Sequence, residues 1–294
     1  HPMINKSIER AQKKVEENNF GIRKNLIEYD DVMNYQREAV YARRRNAING
    51  DKIEIDLQNM MIDSASLLVD SSSGMSYEDF SEILMARFSI DPGFDEASYN
   101  KAKKHDIVSA LCHHMQECYQ RRMQALVEKL SPIIKQVYEK QGNMYKNIAI
   151  PISDGRKVIT LSVDLEKAYK SEGREVAKTL SKNIILYQID EHWKEHLREM
   201  DDLKQSVQNA VHEQKDPKVV YKLESYNLFA QMLESLNQDV LSFLLRSFIP
   251  IKENQPSRPV QASPAQSRLQ AHRNDLVTNG EQKVKAPVIA DKKI

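Results

Sequence analysis

The sequence predicts a mainly α protein. A long helix comes first, then a helical domain carrying a small β-hairpin, then an antiparallel helical hairpin and a disordered C-terminal tail. Three observations predict it. Only 8 glycines occur in 294 residues, so breaks are few. Apolar residues recur at three- and four-residue spacing near the start of the chain and again from 184 to 246. From Ile251 onward Phe, Trp and Tyr disappear altogether.

The first element is the long helix, within residues 1–51. Ile8, Ala11, Val15, Ile22, Leu26, Tyr29, Met33 and Val40 form a narrow apolar stripe. No proline occurs from Asn5 to Ile48, and Gly21 is the only glycine before Gly50. Some 40 helical residues would span roughly 60 Å, which suits a beam onto which other bodies dock. Asn18, Asn19 and Gln36 interrupt the stripe, so a strict coiled-coil heptad is not sustained.

Residues 52–175 read as a separate domain. Helical patterns over Leu57–Val69, Tyr77–Phe88 and Ala97–Tyr138 are separated by Ser71-Ser72-Ser73-Gly74 and Asp91-Pro92-Gly93, both turn chemistry. Near 147–163, Ile148, Ile150 and Ile152 alternate, Asp154-Gly155 turns the chain, and Val158, Ile159, Leu161 and Val163 follow. That is a β-hairpin, and it needs neighbouring helices to be stable.

Residues 176–250 form the helical hairpin. Ile185, Ile189, Trp193, Leu197, Met200 and Leu203 share one helix face; Val220, Leu223, Leu228, Met232, Leu236 and Val240 share another. Pro217 ends one helix and restarts the next. The tail, 251–294, has four prolines among Gln, Ser, Ala and Lys and buries too little apolar surface to offset ordering.

Composition narrows the function classes. Lys+Arg at 43 against Asp+Glu at 42 announces no nucleic-acid binder. No apolar run approaches the roughly 20 residues of a membrane span, and no signal-peptide core opens the chain. Two cysteines, Cys112 and Cys118, suggest a reducing compartment. The first residue is His, so a fragment of a longer protein is expected.

Three catalytic-looking patterns are weighed against plainer readings. His192-Trp193-Lys194-Glu195-His196 fits H-x-x-E-H, with Glu224 or Glu234 as a conceivable third zinc ligand; packing of Trp193 and Leu197 explains the same helix. Asp190-Glu191 after an apolar run mimics the metal-binding box of an ATPase, yet no G-x-x-x-x-G-K-[ST] loop exists to cradle phosphates. Cys112-His113-His114 with Cys118 matches no zinc spacing. Arg43-Arg44-Arg45 reads as a solvated face.

Two stretches carry a family resemblance. Ile189-Asp190, Trp193, His196-Leu197, Met200-Asp201, Leu203, Gln214-Lys215-Asp216-Pro217, Tyr221-Lys222, Glu224-Ser225 and Phe229 resemble the two-helix finger of SecA, the ATP-driven motor of bacterial protein export. Asn19-Phe20, Ile22-Arg23-Lys24 and Leu26 through Val32 look like the same family's long scaffold helix. The resemblance implies that 1–51 is the scaffold helix, 52–175 the helical wing domain, 176–250 a second scaffold part with the finger, and 251–294 the C-terminal linker.

It further implies a non-catalytic region of a protein-transporting ATPase. ATP and Mg²⁺ would be held by nucleotide-binding domains elsewhere in the parent protein, and this chain would carry no cofactor, the zinc module being absent. Implied partners are those domains, the SecYEG channel, an unfolded preprotein and, peripherally, the membrane surface, with no nucleic acid. The expected place is the cytoplasm, against the inner face of the cell membrane. Val211, His212, Glu213, Gln214, Lys215, Asp216 and Pro217 would form the preprotein-contacting tip; Trp193, Leu197, Met200, Tyr221 and Phe229 would pack finger on scaffold. The tip departs from the commoner pattern, with His212 where Tyr is usual and Asn209-Ala210-Val211 replacing Leu-Arg-Gly. A weaker grip that varies near pH 6–7 is the expectation. A zinc peptidase and a free-standing helical scaffold are the alternatives.

Overall fold

A computed structural model describes residues 2–50, 52–141, 145–207 and 216–250. It is mainly α. Helix α1 runs Pro2–Asn49, 48 residues without a break. Then come α2 (Ile53–Ser71), α3 (Tyr77–Phe88), α4 (Glu96–Lys101) and α5 (Lys104–Gln141). Strands β1 (Asn147–Ser153) and β2 (Val158–Asp164) lead to α6 (Leu165–Lys170), α7 (Arg174–Ser206) and α8 (Pro217–Arg246). All described residues fall in one compact unit, and 251–294, where disorder is expected, lie outside the described residues.

The helical hairpin forms as its sequence dictates. Asp216 caps α8 by accepting from the Lys218 N–H at 2.9 Å, and Pro217 occupies the first turn where its missing N–H costs nothing. Buried Leu180, Ile184, Ile185 and Ile189 of α7 meet Leu236, Val240, Leu241 and Leu244 of α8 in one core with Leu57, Met60, Met61 and Leu68 of α2.

The β-hairpin also forms, in antiparallel register from Asn147↔Asp164 to Ser153↔Val158. Asp154 Oδ1 accepts from the Arg156 and Lys157 N–H groups, and Gly155 adopts φ 89°, which closes the turn. Ile148, Ile150, Ile152, Leu161 and Val163 face the helical core, while Val158 remains exposed. The far edge of β1 is engaged at Ser153, whose N–H donates to Phe248 O at 2.9 Å while its carbonyl accepts from Phe248 N–H at 2.7 Å.

One expectation about the helices is corrected. Ala97–Tyr138 is not one helix: α4 ends at Lys101, with Ala102 in extended conformation. Aromatic packing supplies the reason. Tyr99 stacks on Phe80 of α3 at 5.1 Å, and Tyr77 Oη donates to Phe94 O at 2.6 Å, which holds α4 onto α3. The apolar stripes are also only partly buried. In α1, Ile8, Ala11, Val15, Ile22 and Leu26 are exposed, Tyr29 and Met33 half-buried, and Val40 buried; in α8, Leu223 is exposed. Burial on α1 begins where the α7–α8 pair reaches it.

Candidate functional site

The α7–α8 pair lies along the C-terminal half of α1, and the contact between them is built around a buried polar group. Gln36, in phase with Met33 and Val40, is 7% exposed. Its Nε2 donates to Ser225 O of α8 at 3.0 Å. A carbonyl can only accept, so this bond fixes the amide's orientation. Gln36 Oε1 then accepts from His196 Nε2–H of α7 at 2.9 Å. One side chain of α1 thus ties both helices of the pair.

His196 is 1% exposed and sits between the rings of Trp193 and Phe229, each with centroids 5.6 Å away. Burial holds its pKa down to about 4. Its Nδ1 finds no partner, which agrees with a neutral imidazole protonated at Nε2.

Beyond this node a second, smaller core seals the outer pair to α1. Met200, Val207 and Tyr221 are buried in it, against Tyr29, Val32 and Met33 of α1. Tyr221 and Tyr29 meet edge to face at 4.6 Å and 84°. Burial, reinforced by Asp30, Tyr29 and Asp201, pushes the Tyr221 phenol up to about 12. Lys218 pairs with Glu28 at 2.8 Å; the hydrogen bond lowers the carboxyl's pKa and raises the amine's. Lys204 lies 5.9 Å over the Tyr29 ring.

On the inner side, Arg44 grips Asp190 through Nε at 2.9 Å and Nη2 at 3.3 Å. Arg43 Nη2 donates to Asn237 at 2.6 Å, and burial lowers its pKa. The Arg43-Arg44-Arg45 run is therefore not one solvated face: its first two members bind α7 and α8, and Arg45 is exposed.

The sequence-predicted packing residues converge here. Trp193, Met200 and Tyr221 are buried, and Leu197 and Phe229 pack half-buried against the core. Of the predicted tip, Val211, His212, Glu213, Gln214 and Lys215 lie outside the described residues, while Asp216 and Pro217 open α8. Glu28 and Ser225 enter the sequence reading only as members of the family motifs, and Gln36 has no role in it. Gln36 reads there as a fault in the stripe, although its phase with Met33 and Val40 was the signal.

The catalytic-looking patterns resolve into contacts. His192 Nε2 meets Asp239 of α8 at 3.0 Å, while His196 turns to α1, so the two imidazoles address different neighbours. Asp190 holds Arg44, and Glu191 holds Lys194 at 2.7 Å. His114 Nε2 lies 2.8 Å from Asp91 and 3.5 Å from Cys118 Sγ. Both neighbours address the same nitrogen, and burial raises both thiol pKa values, so this is no activated nucleophile. Among the described residues, no three His, Cys, Asp or Glu side chains gather as metal ligands, and no helix is long and apolar enough to cross a membrane.

The outer half of α1 presents an uncovered apolar row. Ile4, Ile8, Val15, Ile22 and Leu26 are each between 47% and 59% exposed, and the row continues the stripe that Tyr29, Met33 and Val40 bury against α7 and α8. Its residue spacing is that of a single helix face.

Comparison with known proteins agrees with this architecture. A family profile described as the SecA wing and scaffold domain matches residues 1–247. The protein translocase subunit SecA of Parabacteroides distasonis is 46% identical over 265 residues, covering 90% of this chain and 23% of the relative. Those of Phocaeicola vulgatus and Bacteroides fragilis are 45% and 44% identical over 92% and 96% of the chain. The chain spans about a quarter of the length of these curated relatives.

Proposed function

Because this chain belongs to the SecA wing and scaffold family, we propose that it couples ATP hydrolysis, performed elsewhere in a longer parent protein, to preprotein movement through a SecYEG channel. Its own part is mechanical. The outer row of α1 receives the parent's nucleotide-binding domains, which hold ATP and Mg²⁺. The α7–α8 pair is the two-helix finger, whose tip at 211–217 contacts the preprotein at the channel mouth. The chain itself carries no cofactor and binds no nucleic acid. It works in the cytoplasm, peripherally on the inner face of the membrane.

One observation carries the reading: a 48-residue helix is clamped by the finger along its C-terminal half and leaves an apolar row open along the rest. A transmitting element needs both features, because one end must bind the motor and the other must bear the finger. Packing of this chain on the motor domains also restrains ATP hydrolysis when no preprotein is engaged.

The test is the ATP hydrolysis rate of separately purified nucleotide-binding domains, with and without this chain. The proposal expects suppression that saturates with added chain. An unchanged rate, with the chain verified as helical and present in excess, would count against docking and restraint.

A further inference from the structure

The seal between the finger and α1 is divided into two parts. The inner part belongs to the large core that also holds α2, α5 and the β-hairpin. The outer part is the separate cluster of Met200, Val207 and Tyr221. Where the two meet, Met33 packs against both, and one helical turn on lies the polar node of the Gln36 amide, His196 Nε2–H and the Ser225 carbonyl. Hydrogen bonds of this kind exchange for bonds to water when the contact opens, so they resist separation less than an apolar layer of equal area. Only a few apolar side chains close the outer cluster, each worth roughly 1.5–3 kcal/mol. The Glu28–Lys218 pair at its rim is partly exposed and readily hydrated. Low-stability units of this type open independently of the rest of a fold.

We propose that the Gln36–His196–Ser225 node is a seam at which the outer α7–α8 pair, residues 198–207 and 217–224, leaves α1 as one unit while the inner core stays closed. The inference stands on the packing alone and is independent of the export reading. Opening exposes Tyr29, Val32 and the outer side of Met33 on α1 together with Met200, Val207 and Tyr221 of the pair. The apolar row of α1 thereby lengthens by two turns, and the finger gains freedom at its base without any loss of its own helices.

Native-state thiol labelling tests this in a chain whose Cys112 and Cys118 are replaced by Ala. Met200→Cys and Val207→Cys report the outer cluster, and Val240→Cys, buried in α8, reports the inner core. The expected result is a common labelling rate for the two outer thiols, at least about tenfold above that of the inner one. Gln36→Ala should speed the outer thiols about tenfold further and leave the inner one unchanged. If Gln36→Ala does not fold, Glu28→Gln gives the same selectivity with an increase of a few-fold. Equal rates at all three positions would overturn the proposal. So would a fast Val207→Cys beside a slow Met200→Cys, since that pattern is fraying of the α7 end.

Discussion

Gln36 carries more of the attachment of the α7–α8 pair to α1 than its type suggests. A glutamine in an apolar stripe reads as an error in sequence, because its amide must be satisfied on every side once buried. Here His196 and Ser225 satisfy it from two helices. Gln36→Leu keeps the volume and removes the acceptor of His196 Nε2–H. Chemical denaturation should show a loss of about 1–3 kcal/mol, the cost of a buried donor left unpaired; a neutral or stabilising change would contradict the role. His196 gives a pH signature. Its folded pKa near 4 lies below the ordinary 6.5, so the unfolded chain takes up the proton first. The contribution is complete above about pH 6.5 and is lost as pH falls towards 4, on the order of 3 kcal/mol in all. A His196→Gln variant should therefore show a flatter fall in stability between pH 6.5 and 4.5 than the parent chain. Equal slopes would argue that His196 is free to charge in the folded state. Apolar periodicity and family motif both name Trp193, Leu197 and Met200, whereas Tyr221 and Phe229 are named by the motif alone, off the periodic face of Val220, Leu223 and Leu228. The Gln36 node was not legible, because only tertiary partners reveal which polar residue is satisfied in place.

Among the elements, those punctuated by local chemistry could be read directly. The β-hairpin followed from alternation around Asp154-Gly155, and the α8 start from Asp216-Pro217. The break between α4 and α5 could not, since no glycine or proline marks Ala102 and the cause is the distant aromatic stack on α3. The turn before α4 makes its own prediction. Gly93 has φ 77°, and a Cβ there would meet His114 Cγ at 2.4 Å. Gly93→Ala should therefore displace His114 from Asp91 and cost about 1–3 kcal/mol in thermal or chemical unfolding. Full stability in this variant would mean that the turn relaxes without penalty. The exposure of Ile8, Val15 and Ile22 was equally hidden: periodicity names an apolar face but not what covers it.

At the scale of the whole chain, α1 is divided, with the α7–α8 pair sealed to its C-terminal half and the outer row uncovered, the row proposed above to receive the motor domains. The apolar residues of that row contribute little to the chain's own stability, because they are already in water. The triple variant Ile8→Ser, Val15→Ser, Ile22→Ser separates docking from folding. Its unfolding midpoint should match the parent's to within the small cost of serine in an exposed helix. The most direct measurement is calorimetric titration of the purified nucleotide-binding domains with the parent chain and with this variant. The account predicts binding by the parent and at least about tenfold weaker binding by the variant, as the loss of several buried apolar side chains requires. Equal affinity for the two chains, both verified as folded, would contradict it.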